Sequence, residues 1–275
     1  MNRMQDRVAF LVGGGAGIAK VCATMFAREG AKVIITDINP ITGQATADLV
    51  QSQGGEAIFV RMDVTDEKSI AAAAHAGIQR FGKIDTLFNS AGGSLPEDSP
   101  ITEVDMAVWD RTMVLDLRGT MLACRVLIPK IAEAGGGSVV NMSSAAGLRG
   151  SNPAHIYTAA KGAIISLTRT LAGTYAHDNI RVNCICAGRT NTERVIATYG
   201  MPGQPGMGMP QQNLTAGAQA AVEAGAESTV ALDKDATDWI NKKWRPMMGW
   251  MYMATCTADF VVFPVLWSIL QALAH

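Results

Sequence analysis

Val8-Ala-Phe-Leu-Val-Gly-Gly-Gly-Ala-Gly-Ile-Ala19 is the stretch on which the fold turns. The apolar run Val8 to Val12 reads as a buried parallel strand. It empties into Gly13-Gly-Gly-Ala-Gly17, and an amphipathic stretch from Lys20 to Glu29 reads as the helix after it. A glycine cluster alone is equally a flexible turn. Between a strand and a helix it becomes a phosphate site, because backbone N–H groups and the helix dipole converge on an anion there. Gly13, Gly17 and Ile18 are the residues expected to hold the pyrophosphate, and Ala19 fills the small position where helix and strand approach. The spacing is G-x-x-x-G-x-A rather than G-x-G-x-x-G.

Working outward, Lys32-Val-Ile-Ile-Thr-Asp37 reads as a second strand that ends in an acid. Asp37 is placed to accept hydrogen bonds from a ribose 2′-OH and would repel a 2′-phosphate. Neither Ala16 nor Ile38 supplies a compensating positive charge, so NAD is favoured over NADP. The plainer alternative for Asp37 is a helix cap. Pro40 to Gln53 reads as a helix closed by Gly54-Gly55, and Ala57 to Val64 as a third strand with Asp63 set to meet the adenine. Glu67 to Phe81 is an alanine-rich helix. Ile84 to Asn89 is a fourth strand whose exit, Asn89-Ser-Ala-Gly92, lets backbone pass close to a flat cofactor. Val104 to Ala134 holds two helical stretches, with Asp116 near the start of the second. Gly137 to Ser144 and Ile180 to Gly188 complete six strands. Alternating strands and helices predict an α/β protein with an open parallel sheet and ligands at the strand C-termini.

Ser143-Ser-Ala-Ala-Gly-Leu-Arg-Gly-Ser-Asn-Pro-Ala-His-Ile-Tyr-Thr-Ala-Ala-Lys161 carries the chemistry. Tyr157 and Lys161 are four residues apart and share one helix face. That spacing alone is common on helices. A free phenol titrates near ~10, too high for a base at neutral pH. A neighbouring ammonium in a partly dry site favours the phenolate. Ser144, at the end of a strand, would hold the substrate oxygen. Nothing in these residues accepts a hydride, so a cofactor must supply that half of the reaction.

The chain has 275 residues, room for one large α/β domain with a small appendage. A formal net charge of −1 gives no electrostatic case for nucleic acid. Cys22, Cys124, Cys184, Cys186 and Cys256 are odd in number and scattered, so they read as buried free thiols of a reducing compartment. Cys184 and Cys186 are expected on opposite faces of their strand, and no metal site is expected. The N-terminus runs directly into a strand without a signal-peptide pattern, which places the protein in the cytoplasm.

Taken together, Gly13-x-x-x-Gly17-Ile18-Ala19, Asp37, Asp63-Val64, Asn89-Ser-Ala-Gly92, Ser144, Tyr157-x-x-x-Lys161 and Arg181-Val-Asn183…Gly188…Thr192 resemble the short-chain dehydrogenase/reductase family. The resemblance spans residues 4–194. It implies a Rossmann-type doubly wound sheet, a nicotinamide cofactor (NAD here), and hydride exchange with a secondary alcohol or its ketone. It casts Tyr157 as acid/base, Lys161 as the residue that also holds the nicotinamide ribose, and Ser144 as the one that orients substrate. Asn89, Ala91, Gly92, Gly188, Thr190 and Thr192 line the cofactor, the last three at its carboxamide end. It also implies a homo-oligomer, dimeric or tetrameric. Three positions depart from the pattern. Val12 stands for a Thr, Ala187 for a Pro, and Asp116 for the Asn of the family's proton relay. Asp116 keeps the backbone carbonyl of that relay and adds a negative charge near Lys161.

The usual substrate-covering helix and seventh strand are not found after Arg194. The expected organisation is a 1–195 cofactor-binding domain, a Gly/Pro/Ala-rich linker over 196–238 and an apolar helical segment over 239–275. Residues 247–274 hold one charge, Asp259, and exceed the ~20 residues a bilayer span needs. Lys242, Lys243 and Arg245 precede them, and Trp244, Trp250, Tyr252 and Trp267 suit an interface. Against a span, Asp259 costs about 2.5–3.5 kcal/mol at mid-bilayer, and Pro264 kinks a helix. The alternative is a buried C-terminal helix. Trp244-Arg-Pro-Met-Met-Gly-Trp-Met-Tyr-Met253 and the segment after it resemble small phage holin-like membrane proteins. On that reading the chain is a weak or inactive NAD-binding fold joined to a membrane-associating tail.

Overall fold

The computed structural model describes residues 2–150, 152–188 and 190–199. The apolar segment 239–275 and the linker beyond Tyr199 lie outside the described residues. The described residues fall into two compact units, 2–187 and 188–199.

In the first unit six strands form one parallel sheet in the order β3-β2-β1-β4-β5-β6. They are β1 (Val8–Val12), β2 (Lys32–Asp37), β3 (Glu56–Arg61), β4 (Thr86–Asn89), β5 (Gly137–Ser144) and β6 (Ile180–Ala187). The strands are short and rich in Val, Ile and Phe, and all five residues of β1 are buried. That is the pattern of a strand covered on both faces. The chain runs outward from β1 to β3, then returns to β4 on the other side of β1. This reversal opens the crevice in which such sheets bind ligands. The Rossmann-type doubly wound fold expected from the sequence is the fold observed.

Helices α1 (Gly17–Arg28) and α2 (Pro40–Ser52) cover one face; α3 (Glu67–Phe81), α5 (Gly119–Glu133) and α6 (His155–Thr174) cover the other. On α1 the buried residues are Ala19, Cys22, Ala23 and Phe26, the i, i+3, i+4, i+7 stripe of a core-facing helix. Phe26 meets Phe88 of β4 edge-on, with ring centroids 6.0 Å apart. Burying side chains of this size contributes about 1.5–3 kcal/mol each. The opposite layer is built on Phe10, Ile34, Leu87, Leu127 and Val139.

Caps set the helix limits. Asn39 accepts from the Ile41 and Thr42 N–H groups with Pro40 at the first helical position, and Asp66 caps α3, which ends on left-handed Gly82. The two helical stretches expected over 104–134 are α4 (Met106–Thr112) and α5, joined by a π-turn, Met113–Arg118. Asp116 lies in that turn. The second unit contains α7 (Glu193–Tyr199), so the first residues read as linker are helical. No helix among the described residues is long and apolar enough to cross a membrane.

Candidate active site

Past Val12 the chain bends at Gly13, whose φ of +78° favours glycine. The Gly13 and Gly14 N–H groups both donate to the Thr36 carbonyl, at 2.9 and 2.8 Å. Thr36 Oγ1 donates back to the Leu11 carbonyl at 2.8 Å. The bracing that a hydroxyl at position 12 would give therefore comes from β2. Ala16 precedes α1 without a side-chain acceptor, so the first-turn N–H groups of a twelve-residue helix carry no cap. A Cβ on Gly13 would stand 2.8 Å from Ala91 Cα, and one on Gly15 would stand 2.6 Å from Thr42 Oγ1. The turn is a backbone cradle with open donors at a helix start, and it fits a pyrophosphate.

Asp37 closes the cradle. Its Oδ2 accepts from the Gly15 N–H and its Oδ1 from the Asn39 N–H, each at 2.9 Å. Each oxygen keeps a further lone pair for a ribose hydroxyl. Strand pairing sets Arg61 opposite Asp37, with its Nε donating to the Ile38 carbonyl at 3.4 Å. This positive charge is not legible in the chain, because nothing brings it to Asp37 before the β2–β3 register is known. Asp63 Oδ1 accepts from the Thr65 hydroxyl at 2.7 Å and the Thr65 N–H at 2.8 Å. These bonds hold its carboxyl below the ordinary range. Val64 is buried against Gly119.

From the cradle, contacts lead directly to Tyr157. Gly13 leans on Ala91 at the exit of β4, and Gly92 (φ +126°) leaves no room for a side chain, since a Cβ there would meet Asp116 Oδ1 at 2.5 Å. Asp116 is fully buried and accepts from the Gly93 N–H at 3.0 Å. Its Oδ1 lies 2.8 Å from Lys161 Nζ, itself 5% exposed. Lys161 Nζ also donates to the Met142 carbonyl at 3.2 Å and sits 5.4 Å from the centre of the Tyr157 ring. The Asp116 backbone carbonyl accepts from Thr120 Oγ1 at 2.7 Å.

Ser144 is the last residue of β5, and its Oγ accepts from the Ala146 N–H at 3.1 Å, leaving its own proton to donate. Ser143 beside it is buried and donates to the Lys161 carbonyl at 2.7 Å. Asn89 turns inward: its Nδ2 donates to Asn141 Oδ1 at 2.8 Å, and Asn141 donates in turn to Thr168 Oγ1 at 3.0 Å. At the mouth, then, Asn89 offers backbone and no side chain. Gly188, Thr190 and Thr192 belong to the second unit, where Thr192 Oγ1 caps α7 by accepting from the Val195 N–H at 3.3 Å.

Sequence reasoning missed Asp98. This buried carboxylate, in the loop after β4, accepts from the Ile156 N–H at 3.1 Å and the Tyr157 N–H at 2.7 Å. It caps α6 from 58 and 59 residues away, a separation that leaves no local capping signal.

The cysteine expectation needs correction. Side chains two apart on a strand share a face, and Cys184 and Cys186 are hydrogen-bonded to each other, half-buried, beside Ser143. That bond to Cys184, helped by Ser143 and by the Arg169 charge, holds the Cys186 thiol down at about 7, while Cys184 is pushed up. Cys22 and Cys124 are free and buried; burial pushes Cys22 up and takes Cys124 to about 12. Because the thiolate is the nucleophile, alkylation of Cys186 should climb as pH rises toward 7 and level off above it. Cys22 and Cys124 should stay unlabelled throughout. Peptide mass mapping after brief iodoacetamide treatment checks this, and equal labelling of all cysteines would refute it. No cluster of three or more metal-ligating side chains occurs among the described residues.

The chain is similar to known proteins. Residues 13–243 match the profile of the family described as enoyl-(acyl carrier protein) reductase. A protein of Bradyrhizobium diazoefficiens described as a probable short-chain type dehydrogenase/reductase is 40% identical over 199 residues, 72% of this chain and 71% of that one. The cis-4-hydroxycyclohexanecarboxylate dehydrogenase of Sinomonas cyclohexanicum is 37% identical, covering 69% and 76% of the two chains. Among solved structures, a 7α-hydroxysteroid dehydrogenase complexed with NADH and 7-oxo glycochenodeoxycholic acid superposes with a TM-score of 0.68. It is 31% identical, over 72% of this chain and 77% of that one.

Proposed function

Since the chain belongs to the short-chain dehydrogenase/reductase family, we propose that it is an NAD-dependent oxidoreductase that interconverts a secondary alcohol and its ketone, with Tyr157 as the acid/base. The observation that carries this reading is the unbroken path from the glycine cradle through Ala91, Gly92, Asp116 and Lys161 to Tyr157. A nicotinamide dinucleotide, when bound, supplies the hydride acceptor or donor. The Gly13–Gly17 turn and the open N–H groups of Gly17 and Ile18 hold its pyrophosphate, and Asp37 holds the adenosine ribose. Asp63 and Val64 flank the adenine. The backbone of Asn89, Ala91 and Gly92 would hold the dinucleotide's nicotinamide half.

The proton is handled by the chain itself. In the oxidative direction the Tyr157 phenolate takes the carbinol proton, and the Ser144 hydroxyl donates to the same oxygen to fix it. In reduction the phenol returns the proton. Lys161 has three N–H donors. Asp116 and the Met142 carbonyl take two, and the third would serve the nicotinamide ribose. Relatives named for cyclic hydroxy acids and for a steroid suit a small alcohol or ketone as substrate. Half-exposed Trp109, Val114 and Met121 on and around α4 and α5 supply apolar surface for the homo-oligomer the family leads one to expect.

A second reading has one observation in its favour. Asp116 neutralises much of the Lys161 charge, which suits a cofactor-binding fold of low activity. A panel of secondary alcohols, followed by NADH absorbance with NAD and with NADP, separates the two. Turnover supports the first; cofactor binding without turnover across the panel supports the second. In the same assay Asp37→Ser should raise the NADP-to-NAD activity ratio by at least about tenfold, one factor of ten per ~1.4 kcal/mol of relieved repulsion. An unchanged ratio would mean that Arg61, and not Asp37, governs that end of the site.

A further inference from the structure

We propose that Asp98 is a positioning residue: with Asp116 it straps the loop after β4 to the one turn of α6 that carries Tyr157 and Lys161, and so fixes where the phenol stands. The inference rests on the dehydrogenase reading above and goes beyond it.

The strap is a closed circuit. At its near end the Gly93 N–H donates to Asp116, and Asp116 pairs with Lys161 at 2.8 Å. At its far end both oxygens of Asp98 accept from the start of α6, one of them from the N–H of Tyr157 itself at 2.7 Å. Tyr157 and Lys161 are then joined through one turn of their own helix. The loop is folded tightly between its ends, with the Asp98 N–H donating to the Leu95 carbonyl at 3.1 Å. A third tie lies alongside, where the Ile101 N–H donates to His155 Nδ1 at 3.0 Å.

The chemistry of the cap fits this role. Ala154, the residue before α6, has no side-chain acceptor, so the helix lacks a local cap. Asp98 is 7% exposed, and in place of water two N–H groups and the dipole of a twenty-residue helix face its carboxylate. A local Ser or Asp cap would stabilise α6 equally well without touching the loop. A cap drawn from the loop instead fixes the first turn of α6 relative to Gly92 and Gly93, the backbone that leads back to the glycine cradle. Displacement of a reacting group by about 1 Å can cost on the order of a hundredfold in rate, so this register matters more to turnover than to fold.

The test compares the full-length parent with Asp98→Ala and Asp98→Asn. Asparagine keeps one oxygen to accept from the Tyr157 N–H. Three quantities are read: kcat with the best alcohol of the panel, Kd for NADH, and deuterium uptake at the 156–157 amides. For Asp98→Ala, kcat should fall by about ten- to a hundredfold with Kd for NADH within twofold of the parent and faster uptake at 156–157. Asp98→Asn should recover most of the rate. A purely structural cap would lower the melting temperature of Asp98→Ala while leaving kcat within twofold of the parent; that result would overturn the proposal, as would a loss of NADH affinity equal to the loss of rate. If the parent turns over no alcohol, the dehydrogenase reading fails by itself. The exchange data then still decide whether the strap exists: unchanged uptake in Asp98→Ala would refute it.

Discussion

Replacing Tyr157 with phenylalanine should lower turnover by on the order of a thousandfold while leaving Kd for NADH within twofold of the parent. The substitution removes one oxygen from a half-buried ring and keeps the ring's place above Lys161. Positioned acid–base groups contribute roughly 10²–10⁴-fold, and no other side chain on the path from the glycine cradle can take over. Asp116 is held by Lys161 and the Gly93 N–H, and the Ser144 hydroxyl is far too weak a base. The cradle lies on β1, β2 and α1, so the cofactor's phosphates and adenosine ribose should not sense the change. Fluorescence titration with NADH and a progress curve at saturating cofactor measure both quantities. Wild-type turnover in this variant would remove Tyr157 from the reaction.

Lys161→Met should be the most damaging single change to stability at the site, at about 3–5 kcal/mol. Lys161 and Asp116 form a buried pair, with side-chain exposures of 6% and 0%. Taking away one member of such a pair leaves an uncompensated charge in a dry place, which costs far more than the pair itself is worth. A protein of this size loses roughly 2–4 °C of melting temperature per kcal/mol, so the midpoint should drop by on the order of 10 °C. Adding Asp116→Asn to Lys161→Met should restore most of that loss, because the asparagine oxygen still accepts from Gly93 and no charge is left behind. The double variant would be stable and inactive, whereas Tyr157→Phe would be stable, inactive and normally charged. Additive losses in the two single substitutions would show that the partners do not act as a unit.

Much of this molecule could be read from its chain because its signals are local. Val8–Val12 is apolar throughout and leads at once into glycines and an amphipathic helix, so three neighbouring elements announce one another. Tyr157 and Lys161 are four residues apart, and a helix needs no tertiary information to bring them together. What stayed hidden depends on pairing between distant segments. Asp98 caps a helix that begins more than fifty residues later. Arg61 is set opposite Asp37 only by the β2–β3 register. Asn89 ends its strand beside the site, and only the β4–β5 register shows that its amide is taken by Asn141 on the neighbouring strand, which leans in turn on Thr168 of α6. The misplacement of Cys184 and Cys186 was of another kind: the period of a strand is two, and the pattern was there to be read.

The π-turn at Met113–Arg118 has a consequence for how the site is held in phase. An α-helix advances about 100° per residue, and a π-turn accommodates one residue more than regular winding would. The residues of α4 before it and of α5 after it therefore keep two angular settings along what is nearly one rod, and Asp116 occupies the slip between them. Regular winding through this segment would swing its carboxylate about a quarter of a revolution away from the ammonium it faces. The loosened coil is thus a vernier, aligning one side chain without disturbing the packing of the fifteen-residue helix beyond it.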